Sequence, residues 1–187
     1  MYSTTEFRKN LKIEINGEPY VIVESQHVKP GKGVAFVKTR IKSLLTGRVL
    51  DKTYRSGEKV GKPNLEERNM QYLYIEDPHY VFMDNNTYEQ VSIDKDAIAH
   101  ILPYLKDNVE VGVLFHNDRP ISVEMPNFVV LRVTQTDPGF KGDTATGGTK
   151  PATLETGHVA NVPLYLEEGQ LVKIDTRTGH FVERVKG

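Results

Sequence analysis

Apolar and polar residues alternate in short bursts along the first third of the chain. Leu11, Ile13 and Ile15 occupy every second position, Asn16-Gly17 follows as a two-residue turn, and Tyr20-Val21-Ile22-Val23 resumes the run. A period of two interrupted by such a turn predicts a β-hairpin. From His27 the chain reads HVKPGKGVAF, a turn-rich tip between two apolar-rich runs, which predicts a second hairpin. Over Val34 to Lys42 the alternation puts Ala35, Val37, Thr39 and Ile41 on one face of a strand and Lys38, Arg40 and Lys42 on the other. LLTGRVLDKTYRSGEKVGKP adds a further hairpin and a turn-rich exit at Pro63. Short strands with Gly turns and no helical period predict a small barrel over residues 1–63.

The middle third opens with MQYLYIEDPHYVFMDNNTYEQVSI, three short aromatic-rich strands broken at Asp77-Pro78 and at Asp84-Asn85-Asn86. Ser92 is placed to cap a short helix, with Ile98, Ile101, Leu102 and Leu105 at helical spacing and Pro103 limiting it. A strand pair around Asn117-Asp118 completes an order of three strands, a small helix and two strands, the order of an OB-type barrel, over residues 64–127. Residues 128–187 begin with FVVLRVTQTDPG and pass through a long Gly- and Thr-rich stretch. They resume with strands over 159–166, 171–175 and 180–185, predicting another small barrel. The fold class expected is all-β, three small barrels in series.

The charge is sorted in the same three blocks, which the overall balance of −1 conceals. Residues 1–62 carry 13 Lys and Arg against 6 Asp and Glu, residues 63–127 carry 4 against 12, and residues 128–187 carry 7 against 7. A basic module joined to acidic material suits a protein that meets a polyanion at one end and is repelled elsewhere. The chain has no cysteine, so disulfides, thiolate metal sites and a cysteine nucleophile are excluded. No run approaches a membrane span and the N-terminus has no signal-peptide core, so a cytoplasmic protein with no membrane partner is expected.

Catalytic chemistry finds little support. The six histidines, at 27, 79, 100, 116, 158 and 180, form no zinc spacing and read as turn and surface residues; His27, at the base of the tip hairpin, reads as a packing residue. GDTATGGTK over 142–150 resembles a phosphate-binding loop but fails it. Thr149 separates Lys150 from the last Gly, and Pro151 follows where a helix would have to begin. Asp94 and Asp96 sit at a helix start, where carboxylates favour the dipole. The expectation is a protein that is not an enzyme and uses no cofactor or metal.

The tip is more informative. Pro30-Gly31-Lys32-Gly33 leaves Lys32 as the one long side chain between two glycines, Lys29 adds a charge beside it, and Lys38, Arg40 and Lys42 extend a basic stripe behind it. On the residues alone this is either a solvated turn on a solvated face or a cationic prong that contacts RNA phosphates without reading sequence.

A series of motifs then resembles the bacterial translation elongation factor P family along nearly the whole chain. They are LKIEINGEPY over 11–20, VKPGKG over 28–33, SLLTG over 43–47 and PNFVVL over 126–131, followed by TDPGFKGDTA over 136–145, GGTKPATLETG over 147–157 and IDTRTG over 174–179. Ala160 departs from the pattern, standing where a branched aliphatic residue is expected. The resemblance implies a KOW or SH3-like barrel followed by two OB barrels in an elongated L. It implies a monomeric factor that enters a 70S ribosome stalled on consecutive prolines, binds beside peptidyl-tRNA and rRNA, and promotes peptide bond formation. By the same resemblance, Lys29, Pro30, Gly31, Lys32 and Gly33 form the loop that approaches the CCA end of peptidyl-tRNA. Lys32 is the residue extended by a lysyl-tRNA synthetase-like modifying enzyme, often with β-lysine, and Gly142, Asp143 and Thr144 form a loop meeting the small subunit. Two other readings stay open beside it: a general RNA-binding OB protein with an unmodified tip, and a hydrolase built on His27 or the Gly142 loop.

Overall fold

The computed structural model describes residues 1–139 and 148–187. The first strands are β1 (Tyr2–Ser3), β2 (Lys12–Ile15), β3 (Glu18–Val28), β4 (Phe36–Ser43), β5 (Val49–Arg55) and β6 (Lys59–Val60). β2 to β5 form an antiparallel meander, and β1 pairs with β6 as a separate ribbon. A bridge between Glu14 and Gly61 ties that ribbon to β2. Asn16 and Gly17 both take positive φ, 51° and 78°, so the predicted two-residue turn between β2 and β3 is made by residues able to adopt it.

Alternation along β4 is strict: Val37, Thr39, Ile41 and Ser43 are buried and Lys38, Arg40 and Lys42 exposed. The two polar members of the inward face are satisfied. Thr39 Oγ1 donates to the Lys52 carbonyl at 2.7 Å, and Ser43 Oγ accepts from the amides of Leu45 and Thr46, which turns the chain into β5. Ile13, Ile22, Val37 and Ile41 fill the core of this barrel, with Phe7 set edge-on to Tyr54 at 5.2 Å between ring centroids.

The second sheet comprises β7 (Leu65–Glu76), β8 (His79–Asp84), β9 (Gln90–Asp94), β10 (Glu110–His116) and β11 (Arg119–Glu124), ordered β11-β10-β7-β8-β9. The predicted breaks fall where the sequence puts them. Asp84 Oδ1 accepts from the amides of Asn86 and Thr87 at 2.7 and 3.1 Å, closing the β8–β9 turn, and those two bonds hold its carboxyl below the usual carboxylate range. Asn117 and Asp118 both take positive φ in the β10–β11 turn.

The predicted helix differs. Ser92 lies inside β9, opposite Val81, and two 3₁₀ turns, Lys95–Ile98 and Leu102–Tyr104, replace one α-helix. Asp94 is the cap, its Oδ1 accepting from the Asp96 amide at 2.9 Å. Pro103 has no amide to continue a helical ladder, so the segment restarts after Ile101. Of the four residues at helical spacing, Ile98 and Ile101 are buried, while Leu102 and Leu105 are only half-buried.

The third sheet comprises β12 (Phe128–Thr136), β13 (Thr149–Leu154), β14 (Val159–Pro163), β15 (Leu171–Asp175) and β16 (Phe181–Val185), ordered β14-β13-β12-β15-β16, with β14 reaching β16. Leu131, Val162, Leu166, Val172 and Ile174 build its core. Ala160 is buried there too and pairs across the strands with Ala152, one small side chain opposite another. Strand β14 stops at Pro163, earlier than expected.

Two compact units result, residues 1–66 with 114–122, and residues 67–113 with 123–187. In the first, His116 is buried with its Nε2 3.9 Å from the Glu14 carboxylate, a departure from the surface role expected of it. In the second, Lys106 Nζ donates to the Val130 carbonyl at 2.7 Å and Thr156 Oγ1 to the Pro103 carbonyl.

Candidate RNA interface

The tip hairpin is built by β3 and β4. Their ladder runs from Tyr20 opposite Ser43 to Val28 opposite Phe36, with one irregularity between Ile22 and Glu24, and the loop 29–35 lies beyond the last pair. His27 braces the base, its Nε2 lying 3.4 Å from the Phe7 carbonyl, in keeping with a packing residue. Beyond that brace the loop is exposed: Lys29, Gly31, Lys32 and Gly33 face solvent, and Val34 is 72% exposed. Among the described residues Lys29 and Lys32 have no hydrogen-bond or ion-pair partner.

The two glycines of the tip differ in kind. Gly33 has φ +115°, a conformation L side chains rarely adopt, so its identity is required by the turn itself. Gly31 has no positive φ, and a Cβ added there meets nothing within 4 Å. The fold gives no reason for glycine at 31.

The basic stripe is less uniform than its sequence. Pairing sets four rows across the outer face of β3, β4 and β5: Val28, Phe36 and Arg55; Gln26, Lys38 and Thr53; Glu24, Arg40 and Asp51; and Val21, Lys42 and Val49. Arg40 is held between two acids, its Nε donating to Asp51 Oδ1 at 2.9 Å and its Nη1 lying 3.7 Å from Glu24 Oε2. Lys38 stands 5.9 Å from the Phe36 ring centroid, and Lys42 has no partner among the described residues. Alternation could place the cations on one face, but the acids opposite Arg40 depend on strand register across two other strands, which the sequence does not print.

Gly142, Asp143 and Thr144 lie outside the described residues. The stretch that fails as a phosphate-binding loop continues as β13, with Lys150 buried and its Nζ donating to the Asp137 carbonyl. Among the described residues no three His, Asp or Glu side chains gather as a metal site, and no helix is long and apolar enough to cross a membrane.

The described chain is a KOW-like barrel with an exposed, glycine-framed hairpin, followed by OB-type sheets. Three family models match in order: the elongation factor P KOW-like domain over residues 3–60, its OB domain over 65–123 and its C-terminal domain over 129–184. The elongation factor P of Moorella thermoacetica is 53% identical over 184 residues, covering 98% of this chain and 100% of that one. That of Natranaerobius thermophilus is 51% identical over the full length of both. The chain belongs to the elongation factor P family of translation elongation factors. Among solved structures, one described as eukaryotic translation initiation factor 5A from Methanococcus jannaschii matches with TM-score 0.56 at 21% identity, covering 66% of this chain and 91% of its own. A family relative of that factor from Naegleria fowleri matches with TM-score 0.53 at 15% identity, covering 66% and 96%. At those identities the likeness is one of fold.

Proposed function

We propose that this factor binds the stalled 70S ribosome beside peptidyl-tRNA and presents Lys32 to its CCA end, promoting peptide bond formation at consecutive prolines. The observation that carries the reading is the tip. Lys32 projects beyond the last rung of a braced hairpin without a partner among the described residues, and the neighbouring Gly31 is small where the described fold imposes no smallness. A side chain of that kind is available to a second molecule, and a bare backbone beside it lets that molecule come close.

The factor's contribution is orientation. Proline is a constrained nucleophile, and holding the peptidyl end in near-attack geometry recovers several kcal/mol (~7–11 in the best-oriented model reactions) without any covalent step on the factor, which is not itself an enzyme. Lys29, Lys38 and Lys42 supply phosphate contacts. A lysyl-tRNA synthetase-like enzyme extends Lys32, and Gly142, Asp143 and Thr144 meet the small subunit. The protein works as a cytoplasmic monomer whose three modules divide at 63/64 and 127/128.

Synthesis of a reporter with consecutive prolines is the test. Lys32→Ala in the native host is expected to reduce proline-run synthesis to the level of cells lacking the factor. Lys32→Arg, which keeps the charge and blocks lysine-specific modification, is expected to do nearly the same. Wild-type output from Lys32→Ala overturns the role given to Lys32.

A further inference from the structure

The outer face of the first sheet carries Lys12, Lys38, Arg40, Lys42 and Arg55, and along β4 the arginine differs from the lysine on either side of it. Arg40, central in the stripe, is bonded to Asp51 and flanked by Glu24, all three side chains being solvent-exposed. The neighbouring rows contain no acid: Gln26 and Thr53 flank Lys38, and Val21 and Val49 flank Lys42. Along β4 the face therefore presents Lys38 and Lys42 on either side of an acid–arginine–acid row. Residues four apart on a strand place Lys38 and Lys42 about 13 Å apart at the Cα positions.

An exposed ion pair contributes little to stability, with a median of about 0–1 kcal/mol, so the fold gains little from two acids here. Their effect on an approaching polyanion is larger in kind. A phosphate chain crossing the centre of the face meets two carboxylates and an arginine already engaged, and like-charge juxtaposition is a means of rejecting a wrong partner. We infer that Glu24 and Asp51 are specificity-determining residues that guard Arg40. With them in place the face accepts an RNA backbone whose phosphates fall at Lys38 and Lys42, and disfavours an unstructured strand laid continuously along the stripe. The inference rests on the reading of this face as an RNA contact.

Titration of the full-length protein with poly-U and with vacant 70S ribosomes, each at several salt concentrations, tests it. Glu24→Gln with Asp51→Asn is expected to tighten poly-U binding about ten-fold. It should steepen the dependence of log K on log salt by about 0.7, one added phosphate contact to a single strand. Affinity for 70S is expected to change less than three-fold. Adding Arg40→Gln to the double variant is expected to remove the added slope, because Arg40 is the cation released. The guard is overturned if the double variant binds poly-U as the wild type does while Lys38→Ala loses 70S affinity. It is equally overturned if the whole gain persists without Arg40. If Lys38→Ala and Lys42→Ala leave 70S affinity and its salt slope unchanged, the RNA reading of the face fails and the guard falls with it.

Discussion

Tyr54 shows how much a single side chain depends on its surroundings. Its ring is buried against Phe7, and its hydroxyl is buried without a hydrogen-bond partner among the described residues. An unsatisfied buried hydroxyl carries a desolvation cost of about 1–3 kcal/mol. Tyr54→Phe keeps the ring and removes that cost, so it is expected to raise unfolding stability by about 1 kcal/mol in a denaturant titration. Burial first, and Glu58 and Tyr20 after it, push the Tyr54 phenol from 10.0 up to about 12. The unfolded chain therefore releases this proton first as pH rises. Its contribution is complete below pH 10 and is lost between 10 and 12, a fall on the order of 2 kcal/mol that Tyr54→Phe should abolish. Nothing in LDKTYRSG separates Tyr54 from an ordinary strand tyrosine. Its isolation follows from Phe7 and the β4–β5 pairing, which are contacts at a distance.

Among elements, the tip hairpin separates what the fold needs from what a partner needs. Gly33→Ala forces a side chain into a positive-φ conformation and is expected to cost about 1–3 kcal/mol in thermal or denaturant unfolding. Gly31→Ala meets open space and is expected to leave stability unchanged or raise it by about 0.5 kcal/mol. If the bare backbone at 31 serves the approach of tRNA, Gly31→Ala should lower proline-run synthesis without lowering the melting temperature; normal synthesis would show that the approach does not need it. Elements with strict alternation, β4 above all, were legible because burial of one sheet face leaves a period of two in the residues. The segment after β9 was legible in its buried residues and illegible in its geometry. Ile98 and Ile101 fit an α-helix and two 3₁₀ turns almost equally well, and the choice fell to Asp94 capping and to the amide missing at Pro103.

For the molecule as a whole, the sorted charge sets the physics of association. If the hairpin meets RNA as proposed, the basic first third steers it there and the acidic middle third opposes nonspecific wrapping. If Lys29, Lys32, Lys38 and Lys42 each meet one phosphate, the slope of log K for 70S against log salt should be about −3. Affinity then falls by nearly two orders of magnitude between 50 and 200 mM salt. A slope near zero would show that shape, not charge, carries the binding.

The sequence by itself determined the all-β class, the serial small barrels, the position of the tip and which β4 residues face out. Each of these is a local or periodic property, written in neighbours one to four residues apart. It also carried the family, through motifs spread from end to end. Only the tertiary structure decided that Arg40 is engaged between Glu24 and Asp51, that His116 is buried beside Glu14, and that Gly33 is constrained where Gly31 is not. The physical reason is the same for the two charged contacts. Register across β3, β4 and β5 and the docking of the β10–β11 turn bring together residues more than ten positions apart, and a chain's local pattern carries no record of its pairing partner.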